Sequence, residues 1–333
     1  MSRTDQIADD LVLAVSVAPD DIPLIDFQPF LEGSDRDRAH VADQIREACE
    51  RIGFFNLKGV GFPPSLRGDI FAASAQFYHQ PLEDRARVAA TPEWYRGWIP
   101  QPPQEPGAHR SRLFEQYRIH HEAGPVEGVD EHLNGLYSQP NRWPEDAPKF
   151  RAACTAYFDA MLGLARSLMQ AFSLGLGLPA DRLDGYFTHP MCQLTLLYYL
   201  PLPGGAEIQL SNTVAHTDDG PFTILAQDDV GGLEVRRRDG AWIAVPPIPD
   251  SYTINVGDML MWLSNGRYLS NFHRVKNRAG CERFSVPFFM NPDRDAVIAP
   301  LPELVLPGAE PAYPPVHAGR HMARFYPAAK SGG

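Results

Sequence analysis

Cysteine is scarce in this chain, and the few that occur lie far apart. The four cysteines, Cys49, Cys154, Cys192 and Cys281, form no CxxC pair. A zinc motif or a dense disulfide framework is therefore not expected. This usage predicts a reducing, cytoplasmic compartment, in which each cysteine acts as a small buried or half-buried hydrophobic residue.

Long apolar runs and excess positive charge are also missing. No run approaches the roughly 20 apolar residues that span a bilayer. The amino terminus, with Asp5, Asp9 and Asp10, lacks the basic-then-apolar order of a secretory signal. Acidic residues outnumber basic ones by 41 to 30, for a formal net charge of −11. Because nucleic acids and anionic membranes bind basic surfaces, neither is expected as a partner, although a local basic pocket could still bind a small anion.

The sequence has enough apolar residues for one large core, since 44% are hydrophobic and 11% aromatic. Its first part shows helical periodicity over residues 38–51, 65–77 and 147–175, and a short helix is predicted over 317–326. Short strands are predicted over 22–27 and 53–57. The stretch from 91 to 148 is rich in Pro, Gly and Trp, which predicts loops with short strands.

After Pro190 the pattern changes to short strands separated by turn residues, such as Gly231-Gly232 and Gly257-Asp258. This pattern predicts a β-sandwich or small barrel over about 190–292. The predicted strands are Gln193–Leu200, Phe222–Gln227, Leu233–Val235, Trp242–Val245, Tyr252–Val256, Leu260–Leu263 and Arg283–Phe289.

The strand-rich half contains a candidate metal site. In His216-Thr217-Asp218 the two outer side chains are two positions apart, so in an extended segment they project to the same face. His273 can supply a third ligand from elsewhere in the barrel. Two imidazoles and one carboxylate without a thiolate suit Fe(II), and they leave coordination positions open for a bidentate oxo-acid and O2.

A candidate anion clamp follows the distal histidine. Arg283 and Ser285 are again two apart on a predicted strand, so they face the same side. A guanidinium fork beside a hydroxyl is a good site for a carboxylate.

These motifs closely resemble those of the isopenicillin N synthase-like family of Fe(II)/2-oxoglutarate-dependent oxygenases. The resemblance covers nearly the whole chain. It includes the opening Ile22-Pro23-Leu24-Ile25-Asp26, the segment Gly53-Phe54-Phe55, the HxD pair, the distal His-Arg-Val and the Arg-x-Ser pair. It implies a mainly β fold, with a double-stranded β-helix (jelly-roll) core and an α-helical N-terminal part.

The sequence pattern and the resemblance together divide the chain. Residues 1–20 are expected to be a flexible leader, 21–190 an α/β region with long loops and support helices, 191–292 the jelly-roll oxygenase core, and 293–333 a C-terminal extension. Together they are expected to form one compact catalytic unit.

By the same resemblance, His216, Asp218 and His273 bind Fe(II), and Arg283 and Ser285 bind the distal carboxylate of 2-oxoglutarate. Tyr199 lines the co-substrate pocket, and Leu197 stands where the family often has Asn. With O2, such an enzyme is expected to oxidise a small molecule, as in specialised metabolism, by hydroxylation, desaturation or cyclisation, with release of succinate and CO2.

The resemblance gives weaker indications for substrate contacts, because it only identifies regions that face the iron in relatives. The remaining histidines, including His120-His121, lack ligand spacing and are predicted to lie at the surface. The candidate substrate-binding residues are Arg96, Arg112, Phe114, Tyr117 and Phe288.

Three alternatives stay open at this point. A relative could draw all four electrons from its substrate and use no 2-oxoglutarate. The stretch from Ala226 to Leu233 resembles that of some bacterial ethylene-forming enzymes. A ligand-binding protein on an oxygenase fold is the non-enzymatic alternative. Such a protein, having lost catalytic activity, would be expected to lack one of the three metal ligands, and all three are present. The substrate and the oligomeric state cannot be read from the sequence.

Overall fold

The computed structural model of the protein describes residue 14 and residues 21–102, 114–201, 213–277 and 280–326. The helices are α1 (Gln28–Glu32), α2 (Asp35–Arg51), α3 (Pro64–Tyr78), α4 (Leu82–Ala86), α5 (Glu131–Tyr137), α6 (Pro148–Gly175), α7 (Asp258–Leu263) and α8 (Ala318–Ala323). Two short 3-10 turns lie at Asp184–Tyr186 and Pro302–Leu304.

The strands fall mainly in the second half of the chain. They are β1 (Leu24–Asp26), β2 (Phe54–Lys58), β3 (Gly97–Ile99), β4 (Glu115–His120), β5 (Gln193–Tyr199), β6 (Thr213–His216), β7 (Phe222–Gln227), β8 (Leu233–Arg236), β9 (Trp242–Val245), β10 (Tyr252–Val256), β11 (His273–Val275), β12 (Arg283–Met290), β13 (Val297–Ile298) and β14 (Val316–His317).

Two sheets carry the fold. The larger has eight strands in the order β1-β2-β10-β7-β12-β5-β4-β3, and the smaller has four in the order β6-β11-β8-β9. All neighbours are antiparallel except β1 and β2. The predicted mainly β fold with a jelly-roll core is confirmed. Strands from the first half of the chain extend the larger sheet at both edges.

Helix α6 supports the larger sheet from one side. Its apolar residues recur at helical spacing, and that face is buried against α2, α3 and β12. Phe158 of α6 meets Phe288 of β12 at 5.2 Å between ring centroids, and Phe172 meets Phe222 of β7 at 5.1 Å. The packed helix layer therefore holds one face of β7 and β12 in place, and their other face is free to build a site.

One predicted strand is a helix instead. Residues Leu260–Leu263 belong to α7, which begins at Asp258. A short apolar run does not distinguish a strand from a buried helical turn. Gly257, just before the helix, lets the chain pass close to Gly220, because a Cβ at Gly257 would lie 2.2 Å from the carbonyl oxygen of Gly220. A Cβ at Gly257 would also lie 2.7 Å from the carbonyl oxygen of Asp218, so the helix begins beside a predicted metal ligand.

The cysteines follow the prediction with one exception. Cys49, Cys154 and Cys192 are buried, whereas Cys281 is exposed, so its predicted burial is wrong. All four are free thiols. Among the described residues, no helix is both long and apolar enough to cross a membrane.

Candidate active site

Strand pairing brings the three predicted metal ligands together. β6 and β11 are antiparallel neighbours, and their register sets His273 directly opposite His216. The two imidazole rings are 4.2 Å apart, and Oδ1 of Asp218 lies 3.7 Å from Nε2 of each. One ligand atom from each residue lies within 4.8 Å of the others. These three residues form what we call the His–Asp–His cluster.

Backbone carbonyls orient both imidazoles. Nδ1 of His216 lies 2.8 Å from the carbonyl oxygen of Val214, and Nδ1 of His273 lies 3.3 Å from that of Asn271. A carbonyl accepts only from a protonated nitrogen, so each ring presents the lone pair of Nε2 to the cluster. Burial, with His216 alongside, lowers the pKa of His273 below its usual value. The ring is therefore neutral near pH 7, which is the form that binds a metal.

Asp218 is held through its other oxygen. Its Oδ2 accepts hydrogen bonds from Oγ1 of Thr223 at 2.6 Å and from Nδ2 of Asn255 at 2.7 Å. Burial raises the pKa of Asp218, but the two histidines and these two hydrogen bonds outweigh it and hold the pKa below its usual value. The carboxylate is therefore ionised, with Oδ1 left to face the histidines. The backbone N–H of Asp258 in α7 also donates to the carbonyl of Asp218, at 2.8 Å.

A small pocket of about 80 Å³ opens from the cluster toward β12. We call it the arginine pocket, because Arg283 lies on its wall together with Ser285 and Tyr199. Arg283 is fully buried, its Nη1 donates to Oγ of Ser285 at 3.1 Å, and its guanidinium carbon lies 4.6 Å from the Tyr199 ring centroid. Nη2 donates to Oε1 of Gln227 at 3.2 Å, and Nε donates to the carbonyl of Gly231.

The arginine pocket suits a short dicarboxylate with a keto acid at one end. The buried guanidinium at the Arg283 end can pair with one carboxylate, while the cluster lines the same pocket and can hold a metal that chelates the other end. The donor set, two imidazoles and one carboxylate, is that of Fe(II) sites with open positions. The residues present therefore fit both the metal and the co-substrate that the sequence predicts.

A second cavity, of about 270 Å³, opens from the other side of the cluster, and we call it the outer cavity. It shares His216, Asp218 and Phe289 with the arginine pocket. The rest of its wall comes from β4, β5, the loop after β6, the residue after β12, α5, α8 and the segment that follows α8. Those lining residues are Arg118, His120, Tyr137, Met191, Gln193, Thr217, Asp219, Gly220, Asn291, Met322, Phe325 and Tyr326.

The structure places three of the predicted substrate-binding residues away from this cavity wall. Phe288 packs against Phe158 of α6, and its neighbour Phe289 lines the cavity, because adjacent strand residues face opposite sides. Tyr117 lies in the core and donates its hydroxyl to the carbonyl of Arg142. Arg96 is fully buried and donates to the carbonyl of Tyr137 at 2.7 Å. Phe288 and Tyr117 are therefore core residues.

The other two substrate candidates have different outcomes. Phe114 packs against Tyr199 with ring centroids 5.3 Å apart, and so lies behind the arginine pocket. Arg112 lies outside the described residues. The predicted surface position of His120 is wrong, since only 5% of it is exposed and it lines the outer cavity.

Sequence reasoning missed several side chains of the site. Thr223 and Asn255 hold Asp218, and Gln227 holds Arg283, yet each stands inside an apolar strand without a motif of its own. Strand alternation could have found two of them, since Thr223 and Gln227 lie on the same face of β7. The contribution of β4 and of the C-terminal segment to the outer cavity had no signal in the sequence.

Comparison with known proteins agrees with this geometry. Residues 191–292 match the model of the 2OG-Fe(II) oxygenase superfamily, and residues 22–146 match that of the N-terminal region of non-haem dioxygenases in morphine synthesis. The 2-oxoglutarate-Fe(II) type oxidoreductase hxnY of Emericella nidulans is 33% identical over 309 residues, which are 90% of this chain and 88% of that protein. The 2-oxoglutarate-dependent dioxygenase citB of Monascus ruber is 33% identical over 84% of this chain and 87% of its own.

Solved structures give the same result. A full-length Neurospora crassa protein, crystallised in complex with alpha-KG, superposes with a TM-score of 0.81 at 28% identity, over 93% of this chain and 98% of its own. JOX2 in complex with 2OG, Fe and JA superposes with a TM-score of 0.75 at 29% identity, over 97% and 93%. These relatives support the use of 2-oxoglutarate and give no support to an oxidase that works without it. The chain belongs to the 2OG-Fe(II) oxygenase superfamily and is an Fe(II)- and 2-oxoglutarate-dependent dioxygenase that acts on a small molecule.

Proposed function

We propose that the His–Asp–His cluster binds the Fe(II) of this dioxygenase and that Arg283, Ser285 and Tyr199 bind its 2-oxoglutarate. The observation that carries the proposal is the shared wall, because the cluster and the buried guanidinium line one 80 Å³ pocket. When bound, the metal and co-substrate supply the oxidising chemistry, in which O2 is consumed and succinate and CO2 are released.

The protein's own part is positioning and shielding. Thr223 and Asn255 fix the carboxylate of Asp218, and Arg283 fixes one end of the co-substrate. The substrate is held in the outer cavity, which shares His216 and Asp218 of the cluster with the arginine pocket. Its wall decides which carbon faces the metal, and so whether the product is hydroxylated, desaturated or cyclised.

An anaerobic titration tests the metal and co-substrate assignment. The Fe(II)-loaded protein is titrated with 2-oxoglutarate while the visible metal-to-ligand charge-transfer band is followed. We expect the band in the wild type and in His132→Ala, whose histidine is exposed on α5, and its loss in His273→Ala. A band that persists in His273→Ala contradicts the cluster as the iron site.

The reaction type is tested by product analysis. Candidate substrates are screened by succinate release, and each product is weighed by mass spectrometry. A gain of one oxygen atom indicates hydroxylation, and a loss of two hydrogens indicates desaturation or ring closure. Succinate release that no candidate stimulates above the substrate-free rate in a broad panel counts against a small-molecule oxidase.

We also propose that the protein works in the cytoplasm. The support is chemical, since all four cysteines are free thiols, the state favoured in a reducing compartment. Exposed Cys281 gives a direct test by thiol labelling in intact cells with membrane-permeant and membrane-impermeant reagents. Labelling by the permeant reagent alone is expected, and labelling by both contradicts the proposal.

A further inference from the structure

A buried cation, Arg96, lies behind the wall of the outer cavity, next to the lining residue Tyr137. Arg96 is fully buried, and its guanidinium donates to the carbonyl of Tyr137 at 2.7 Å and to Oδ1 of Asn141 at 3.3 Å. Both acceptors are neutral, its Nε has no partner, and none of the ion pairs among the described residues includes Arg96. Burial lowers the pKa of Arg96 to about 10, so it stays charged near pH 7. A buried charge without a counterion is costly, and such cost is often tied to function.

Strand β4 places two further donors on the cavity wall itself. Arg118 and His120 are two positions apart and both line the outer cavity. Nε of Arg118 donates to Oε1 of Gln116 at 3.0 Å, and its guanidinium carbon lies 4.6 Å from the Tyr95 ring centroid. The wall therefore carries a guanidinium whose ε-N–H is already oriented by its own strand.

His120 adds an unsatisfied polar atom at the same place. Its Nδ1 lies 3.4 Å from the hydroxyl of Tyr326, and its buried Nε2 has no hydrogen-bond partner. Burial, with Arg96 and Arg118 nearby, lowers the pKa of His120 well below its usual value, so the ring is neutral. In the tautomer in which the Tyr326 hydroxyl donates to Nδ1, Nε2 carries the proton and needs an acceptor.

Among the residues that the structure describes, the carboxylates near the cavity are already engaged. Asp219 pairs with Nε2 of His321 at 3.0 Å and with Arg324. Asp218 belongs to the cluster. Glu122 is exposed, and its Oε1 accepts from the backbone N–H of Asn141 at 2.6 Å. No ion pair among the described residues thus joins a carboxylate to Arg96, so its positive charge, behind the wall, acts on the His120 end of the cavity together with that of Arg118.

We propose that the outer cavity takes a compact organic carboxylate, with its carboxylate at the Arg118 and His120 end and its apolar body toward the His–Asp–His cluster. The inference rests on the proposed function, because it uses the same cluster as the oxidising centre. Phe289, Phe325 and Met322 supply apolar wall for the body of the ligand. A volume of about 270 Å³ lies just below the 300–1,000 Å³ typical of drug-sized ligands, so the substrate is small. This arrangement keeps the acid group away from the metal and presents a carbon of the body for oxidation.

A matched pair of probes separates charge from shape. Benzoate and benzamide have nearly the same size, but only benzoate is an anion. Each is titrated anaerobically into the Fe(II)-loaded wild type with saturating 2-oxoglutarate, and binding is read as a shift of the charge-transfer band. We expect benzoate to bind about tenfold more tightly, because its hydrogen bonds to Arg118 are charge-assisted. Equal binding or a preference for benzamide overturns the proposal, and so does loss of the band, which reports displacement of 2-oxoglutarate by benzoate.

Variants place the preference at the proposed residue. In Arg118→Gln we expect benzoate binding to weaken about tenfold while benzamide binding stays unchanged. Arg36→Gln, which removes an exposed arginine of α2, is the matched control and is expected to keep the wild-type preference. Wild-type benzoate affinity in Arg118→Gln overturns the assignment. If Arg118→Gln is poorly folded, Arg118→Lys replaces it and is expected to keep part of the preference, because the charge remains.

The band also separates the two proposals. If wild-type protein with Fe(II) and 2-oxoglutarate shows no band before any probe is added, the proposed metal and co-substrate site has failed. If the band forms but does not distinguish benzoate from benzamide, only the carboxylate proposal has failed.

Discussion

The arginine pocket and the outer cavity share three side chains, His216, Asp218 and Phe289, yet the rest of their walls is built differently. Residues of neighbouring antiparallel strands form the arginine pocket, where Arg283 pairs in register with Tyr199. The outer cavity draws on β4, on α5 and on Phe325 and Tyr326 near the end of the chain. The first pocket is thus built into the core sheets, and the second depends on how distant segments pack over them.

This difference separates the chemistry from the selectivity of the enzyme. Buried neighbours on the strands hold both side chains, since Arg283 donates to Gln227 and Asn255 donates to Asp218, so their geometry is fixed by the sheet. Segments outside the core can change without disturbing that sheet, which is why binding surfaces often lie on them. We expect substitutions in the two regions to have different kinetic signatures.

The largest effect is expected where the two regions meet. Asp218→Ala removes a ligand from the cluster, and we expect iron-dependent turnover to fall below detection while the fold is retained. Succinate release and bound iron are measured together with the circular dichroism spectrum. Asp181→Ala, which removes an exposed carboxylate, is the control and is expected to behave as wild type. Normal turnover in Asp218→Ala contradicts the metal assignment.

The next effect is expected within the arginine pocket alone. Arg283→Gln removes a charge-assisted, bidentate partner, which contributes on the order of 1.5–3 kcal/mol and so raises the KM for 2-oxoglutarate roughly 10- to 100-fold. Steady-state kinetics at saturating substrate measures it, and kcat at very high 2-oxoglutarate is expected to recover. A KM that does not change means that the co-substrate carboxylate binds elsewhere.

A smaller effect is expected at Thr223, which contacts the predicted metal ligand Asp218. Thr223→Val removes a hydrogen bond to Asp218 but keeps the shape of the side chain, and we expect Fe(II) affinity to fall about tenfold, the lower end for such outer contacts. Thr253→Val is the matched control, because Thr253 is equally buried but donates to Oδ1 of Asn56 at 2.9 Å. Equal Fe(II) affinity in the two variants indicates that the bond from Asn255 suffices to orient the carboxylate.

The smallest effect is expected at the rim of the outer cavity. Phe325 lines the cavity but is 43% exposed, so Phe325→Ala loses only part of its apolar contact. We expect benzoate binding to weaken by a few-fold while 2-oxoglutarate binding is unchanged. The charge-transfer titration measures both in one sample. A parallel loss of 2-oxoglutarate binding would show that the two regions are not independent.

Two of the metal ligands and the carboxylate clamp could be predicted from sequence because their geometry is local, whereas His273 lies far along the chain and was identified by the motif order of the family. His216 and Asp218 are two apart, as are Arg283 and Ser285, and a strand's alternation places each pair on one face. Alternation did not show which of two adjacent residues faces the site. Phe288 was predicted to contact substrate, but it faces the helix layer, and Phe289 faces the site. Leu260–Leu263 failed for a related reason, because an apolar run of four fits a strand or a helical turn equally well.

The sequence by itself indicated a β-rich second half, the His216 and Asp218 pair and the Arg283 and Ser285 pair, because short-range periodicity and a strand's alternation encode these directly. The resemblance of its motifs to the oxygenase family added the jelly-roll fold and the role of His273. Tertiary structure alone decided that His120 is buried beside Arg96, that Thr223 and Asn255 share one oxygen of Asp218, and that Tyr326 closes over β4. Apart from the bond between Thr223 and Asp218, these contacts join residues far apart in the chain. Their partners are selected by packing and charge in three dimensions, and no spacing rule in one dimension records that selection.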